Sequence, residues 1–291
     1  MNTLSRFALS ALALSIAAAP AVVSAQDDGS HGPPKVLVVN REFTKPGRTG
    51  TAHEKTEAAF MAAARANKAP FHYFALTSMT GADRALFFSG YASMGAWGAE
   101  GKEMDRNPAL GMATDHAMLA DGDMLSATDS SVWMRRDDLS LTTGNLQGAR
   151  YMEIMQFMIK PGHAHEWNEL VKMYMDGYKK VAGAHWTTYQ QVYGTNSNAY
   201  VALTPLKDLS EGDMEYGAST SAFEKAMGAD ALKKMGALEA ACVETEQVNL
   251  FRLSPKMSLV NDDWIQMEPE FWAPKTTSVP KKKASVAKAG Q

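Results

Sequence analysis

The chain has 291 residues, a formal charge of −3 and a single cysteine, Cys242. That balance lacks the basic field a phosphate backbone needs, which argues against a nucleic acid partner. One cysteine excludes an intrachain disulfide, and the lack of a CxxCH sequence excludes covalent c-type haem attachment.

Residues 1–25, MNTLSRFALSALALSIAAAPAVVSA, set Arg6 ahead of an apolar run that ends in small residues. The pattern predicts a secretory signal peptide, so the mature chain is expected to be soluble and exported, in the periplasm or outside the cell. No later run is long and apolar enough for a bilayer, and no integral membrane segment is expected after cleavage. Residues 26–34 read as a linker. Strand-like runs rich in Val, Phe, Tyr and Trp then fall at 36–43, 71–78, 84–91 and 128–136. A helix opening at Ala52-His53-Glu54 separates the first two, and an Ala/Met-rich helical stretch separates the last two. A linker at 138–149 leads to a second set of strands at 151–159, 185–193, 198–204 and 246–253. Between them, Trp167, Leu170, Tyr174, Tyr178 and Val181 form one helical stripe. Cys242 lies in a helical stretch and reads as a small buried residue. Residues 254–291 form a tail whose end, SVPKKKASVAKAGQ, has almost no large apolar residues and is expected to be disordered.

The two halves repeat. KVLVVNREFTKPG opens one and RYMEIMQFMIKPG the other, each an apolar run ending in Lys-Pro-Gly. Ala52-His53-Glu54 matches Ala164-His165-Glu166, and APFHYF matches GAHWTTY. A period near 115 residues is too long for a solenoid and describes two copies of a small domain, at 35–137 and 150–253. Each reads β-α-β-β-α-β, the ferredoxin-like arrangement, with both helices on one face of an antiparallel sheet. In YMEIMQFMI, Met152, Ile154 and Met158 point one way while Met155, Phe157 and Ile159 point the other. Both faces are apolar, so both need covering. The predicted fold is therefore α+β: two tandem ferredoxin-like units whose antiparallel sheets face each other as an intrachain α-β barrel.

A strand running into a Pro-Gly turn and then an aromatic-bearing helix, in tandem ferredoxin-like copies, resembles the dimeric α-β barrel superfamily. That group includes the antibiotic-biosynthesis monooxygenases, NIPSNAP-like domains and haem proteins related to chlorite dismutase. The resemblance covers residues 35–259. It implies the fold, and it aligns no catalytic residue of any member onto this chain.

The histidines come next. KPGHAHEWNE carries His163, His165 and Glu166, but no HExxH or comparable metal spacing. The other half lacks a counterpart of His163. His53 and His165 therefore read as matched helix openings, with Glu54 and Glu166 as ordinary partners of the helix dipole, and no metal or cofactor is expected. The nineteen methionines read as core packing. A second matched pair, His72 and His185, begins the second strand of each half. On the parity of His185, Thr187, Tyr189 and Tyr193 follow, a column of apolar bodies with polar tips suited to a small-molecule site. His185, Thr187, Tyr189, Tyr193 and His72 are thus the candidate ligand-binding residues. Three functions fit: an exported protein binding a small apolar or aromatic molecule between the sheets, a cofactor-independent monooxygenase-like enzyme using His185 and nearby tyrosines, or an interaction module without a site. Whether the chain is an enzyme, and its oligomeric state, stay open at this stage.

Overall fold

The computed structural model describes residues 32–48, 50–141, 146–196 and 198–273. The expected signal peptide and the Lys-rich tail end lie outside the described residues. In chain order the elements are β1 (Val36–Thr44), α1 (Thr51–Ala66), β2 (Tyr73–Ser78), β3 (Arg84–Tyr91), α2 (Met94–Asp105), α3 (Pro108–Gly122) and β4 (Leu125–Arg135). A short turn of helix at Asp137–Leu139 leads to β5 (Tyr151–Ile159), α4 (Ala164–Tyr178), β6 (Thr187–Tyr193), β7 (Ala199–Leu206), α5 (Ser210–Met214), α6 (Thr220–Met227), α7 (Ala229–Cys242) and β8 (Val243–Leu259). Two short helices, α8 (Asp262–Met267) and α9 (Pro269–Trp272), follow.

The strands form one closed antiparallel barrel in the order β1-β3-β2-β8-β5-β7-β6-β4. Each half contributes a ferredoxin-like sheet, β4-β1-β3-β2 and β8-β5-β7-β6, with the same internal order. Two seams join them. β2 pairs with β8 through Ala75–Ser254 to Ser78–Phe251, and β4 pairs with β6 through Trp133–Gln191 to Arg135–Tyr189. Closure matters because an isolated half would present two open edges of unpaired N–H and C=O groups.

Strand alternation assigns the two layers. On β1, Leu37 and Val39 face the barrel interior, while Val36 and Val38 face α2 with Tyr91 and Val132. Met152 and Ile154 of β5 lie in the interior, with Met158 packed against them; Phe157 and Ile159 join the outer core under α4 and α7. The interior also holds Leu76, Phe88, Trp133, Tyr189, Phe251 and Leu253. Cys242 is fully buried in the α4–α7 core, and burial raises its thiol pKa. No helix among the described residues is long and apolar enough to cross a membrane.

The region expected as a tail is partly built. β8 runs to Leu259, and the chain then folds α8 and α9 across one mouth of the barrel. Trp264 and Phe271 pack against the interior cluster, and Trp272 is part of it. Asn261 caps α8 by accepting a hydrogen bond from the Trp264 backbone N–H at 3.1 Å.

Candidate functional site

The capped mouth encloses a cavity of about 260 Å³. Leu37, Phe88, Met152 and Leu203 form its floor, and Trp264 and Trp272 its roof. Phe74 stacks on Trp264 at 5.9 Å between ring centroids, and Trp272 meets Trp264 edge-on at 5.4 Å. These packed rings make the roof hydrophobic and hold Trp264 and Trp272 nearly perpendicular to each other. Two ties hold it down. Glu268 pairs with the Arg150 guanidinium and accepts from the Gly148 N–H at 3.2 Å. Arg150 also lies over the Phe271 ring at 3.9 Å. The N-terminal arm closes one side: Tyr189 donates its hydroxyl to the Pro34 carbonyl at 2.9 Å, and Arg135 donates to the Pro33 carbonyl and to Asp137. Gly90 lets the arm approach, since a Cβ there would sit 2.7 Å from Pro34 Cγ.

Polar groups also reach the cavity. His72, Thr187 and Asn261 line it, together with the charged or amide groups of Lys35, Arg135, Gln147 and Glu268. The His72 imidazole is held below its usual pKa by burial, against the opposing charge of Asp262. Burial likewise raises Tyr189, whose ring is almost wholly enclosed.

Of the five residues predicted as a site, three meet here: His72, Thr187 and Tyr189. The other two do not. The parity argument holds along β6, where Thr187, Tyr189 and Gln191 are buried. It fails at both ends for different reasons: the strand starts two residues later than expected, and its pairing with β4 shifts register between Gln191 and Tyr193. β6 begins at Thr187; before it, Trp186 pairs with Leu141 and Gly183 turns the chain at φ 83°. His185 thereby swings into a separate groove lined by Lys179, Lys207 and Glu211. Its Nδ1 lies 2.8 Å from the Gly183 carbonyl and its Nε2 3.0 Å from the Pro205 carbonyl, so the ring sits between two backbone acceptors of the turn. Tyr193, at the far end of β6, is 63 % exposed. The structure thus separates His185 from Tyr189, with which the enzyme reading grouped it. Trp264, Trp272 and Asn261 were missed, because WIQMEPEFW is too short to show a helical period.

The matched openings also part company. His165 is exposed, and His163, at the N-terminal cap of α4, places its Nδ1 3.4 Å from Glu166 Oε1. His53 is instead buried among three carboxylates. The expectation that His53 and His165 are equivalent helix punctuation is corrected by register: His53 is the third residue of α1 and His165 the second of α4. One residue is about 100° around a helix, enough to turn a side chain from core to solvent.

This architecture defines the chain as an α-β barrel of two ferredoxin-like sheets closed within one polypeptide. No protein-family model and no curated protein matches it. Solved structures do. An anthrone oxidase-like protein superposes with a TM-score of 0.51 at 11% identity, over 76% of this chain and 92% of that one. A candidate monooxygenase from Fusobacterium nucleatum gives 0.47 at 11% identity, over 75% and 91%. A chlorite dismutase variant from Candidatus Nitrospira defluvii gives 0.43 at 8% identity, over 77% and 92%. At these identities the likeness is one of fold.

Proposed function

We propose that this is an exported protein, soluble after signal cleavage, that binds a small aromatic molecule in the capped barrel mouth. The observation that carries the reading is the cavity itself: about 260 Å³, walled by aromatic and aliphatic side chains, with a few inward polar groups to orient a ligand. Export rests on the N-terminal sequence alone. That the halves arose by duplication rests on their shared strand order and the repeated Lys-Pro-Gly and Ala-His-Glu stretches.

One observation favours an enzyme as the second reading. His72 lies beside an aromatic wall and burial keeps its imidazole neutral, the state that accepts a proton. It takes an acidic methylene proton from a bound aromatic ketone, and the carbanion reacts with dioxygen so that the carbon becomes a carbonyl and the second oxygen atom leaves as water. Anthrone, the compound in the name of the similar structure, is the natural first probe. Quenching of tryptophan fluorescence should report its binding, because Trp264 and Trp272 form the roof. Thr187→Trp should fill the cavity and abolish quenching. Binding unchanged in that variant would remove the site. If His72 is a base, His72→Ala should keep binding and lose oxygen uptake, and wild-type uptake should fall as the pH drops through the lowered pKa of His72. Binding without any uptake would leave the binding protein alone.

A further inference from the structure

A second site lies on the other side of the barrel wall, independent of the cavity. Glu42 is the seventh residue of β1 and faces outward, beneath the helices. His53 and Glu57 are the third and seventh residues of α1, one turn apart on its inner face, and Asp121 is the penultimate residue of α3. Three elements thus deliver one imidazole and three carboxylates to one point. His53 Nε2 lies 3.0 Å from Glu42 Oε2, 3.4 Å from Asp121 Oδ1 and 3.9 Å from Glu57 Oε1. All four ligand atoms lie within 4.8 Å of one another. The side chains of His53, Glu57 and Asp121 are only 4, 7 and 6 % exposed, and that of Glu42 is 16 % exposed.

Concentrating carboxylates out of water is expensive unless a cation compensates them. Burial, with Glu42 and Asp121 alongside, pushes the Glu57 carboxyl up to about 9. The fold does not demand this arrangement. At the seventh position of β5 the other half has Phe157, and at the seventh position of α4 it has Leu170. These pack with Trp167 in an apolar core. Four ionisable groups stand where hydrophobic packing would serve stability better.

Tyr73 supplies an independent observation. It stands on the helix-facing side of β2 beside Met61 and Ala64, 9 % exposed, and its buried hydroxyl has no hydrogen-bond partner. The hydroxyl sits in the field of Glu57, Glu42 and Asp121, whose charges add to burial in raising its pKa. A buried O–H without a hydrogen-bond partner, in the field of three carboxylates, is a polar group that a ligand held by the cluster would satisfy. Thr56 completes the surround, its Oγ1 2.5 Å from Asp121 Oδ1 and 2.9 Å from the His53 carbonyl, as a positioning contact for a ligand carboxylate.

We propose that Glu42, His53, Glu57 and Asp121 bind a divalent first-row transition metal ion. One imidazole with three carboxylates is a donor set for zinc or manganese rather than for a soft, thiolate-seeking ion. In a four-coordinate site with bonds of about 2.0–2.1 Å, neighbouring ligand atoms are about 3.3 Å apart. The distances from His53 bracket that value.

The test uses the whole mature chain, stripped with a chelator and then loaded with zinc chloride or manganese chloride. After desalting, elemental analysis should find one ion per chain. The loaded protein should melt about 5–10 °C above the stripped protein, as tight binding to the folded state alone requires. Glu57→Leu places in α1 the residue that α4 already carries at this position. It should fold, melt at or above the stripped wild type, and show no response to either metal. His53→Gln and Asp121→Asn are smaller changes that should lose the ion even if Glu57→Leu does not fold. A wild type that retains neither metal and does not shift on loading would overturn the proposal. So would full retention of metal in both His53→Gln and Asp121→Asn. Neither result bears on the cavity, whose ligand probe is read by fluorescence.

Discussion

A buried carboxyl couples folding to pH. Glu100 of α2 is 4 % exposed. Its Oε1 accepts from the Tyr91 hydroxyl at 2.7 Å, while Oε2 has no partner. Burial raises its pKa, partly offset by the Tyr91 hydrogen bond and reinforced by Glu103. The sign follows from linkage. The unfolded chain releases this proton near the ordinary carboxylate value and the folded chain holds it longer. The folded state is therefore favoured at low pH and penalised as the pH rises through the raised pKa. Glu100→Gln keeps an acceptor for Tyr91 and removes the penalty. Its melting temperature relative to wild type should improve between about pH 4 and about pH 8. An offset that is the same at both ends, by calorimetry, would show that Glu100 ionises as a solvated carboxyl does. The candidate sites were unevenly legible at this scale. Thr187 and Tyr189 follow from strand alternation, because period two is a property of the chain itself. His185 does not, because where a strand starts depends on what it pairs with.

Helix packing on the second half turns on Gly177 of α4. A Cβ there would lie 2.6 Å from Phe223 Cδ2 and 2.8 Å from Met227 Sδ of α6. Phe223 cannot retreat, since it is stacked between Tyr174 at 5.6 Å and Tyr178 at 4.4 Å. Gly177→Ala gains helix propensity of about 1 kcal/mol. It forces overpacking that costs about 1–3 kcal/mol. A net loss of up to about 2 kcal/mol is expected, read as a lower urea midpoint at unchanged slope. A midpoint that rises would mean that α6 shifts freely. The stripe Trp167, Leu170, Tyr174, Tyr178 announces the buried face of α4 in the sequence. The partner helix that makes Gly177 necessary does not appear there, since close approach of two helices leaves no periodic trace in either. The same holds for α8 and α9, whose aromatic residues are core only because a barrel mouth stands over them.

Closure of the barrel is the property of the whole molecule. The seams β2–β8 and β4–β6 join residues from opposite halves. A fragment spanning residues 32–141 would expose the β2 and β4 edges together with the interior face carrying Leu37, Leu76, Phe88 and Trp133. Such a fragment should not remain a folded monomer. It is expected to dimerise through those edges or to aggregate, whereas mixing it with residues 146–273 should restore a 1:1 complex. Size-exclusion chromatography with light scattering would decide, and a stable folded monomer of either half would refute the argument. The sequence by itself determined the repeated β-α-β-β-α-β order, the two apolar faces of each sheet and hence the need for a facing sheet. These are local or periodic properties, written in the spacing of side chains along one segment. Only the tertiary structure decided that α8 and α9 roof the cavity, that His185 leaves it, and that Glu42, His53, Glu57 and Asp121 converge. Those outcomes depend on which distant segments become neighbours, and a single residue of register in α1 against α4 is enough to place one histidine in water and its counterpart among three buried carboxylates.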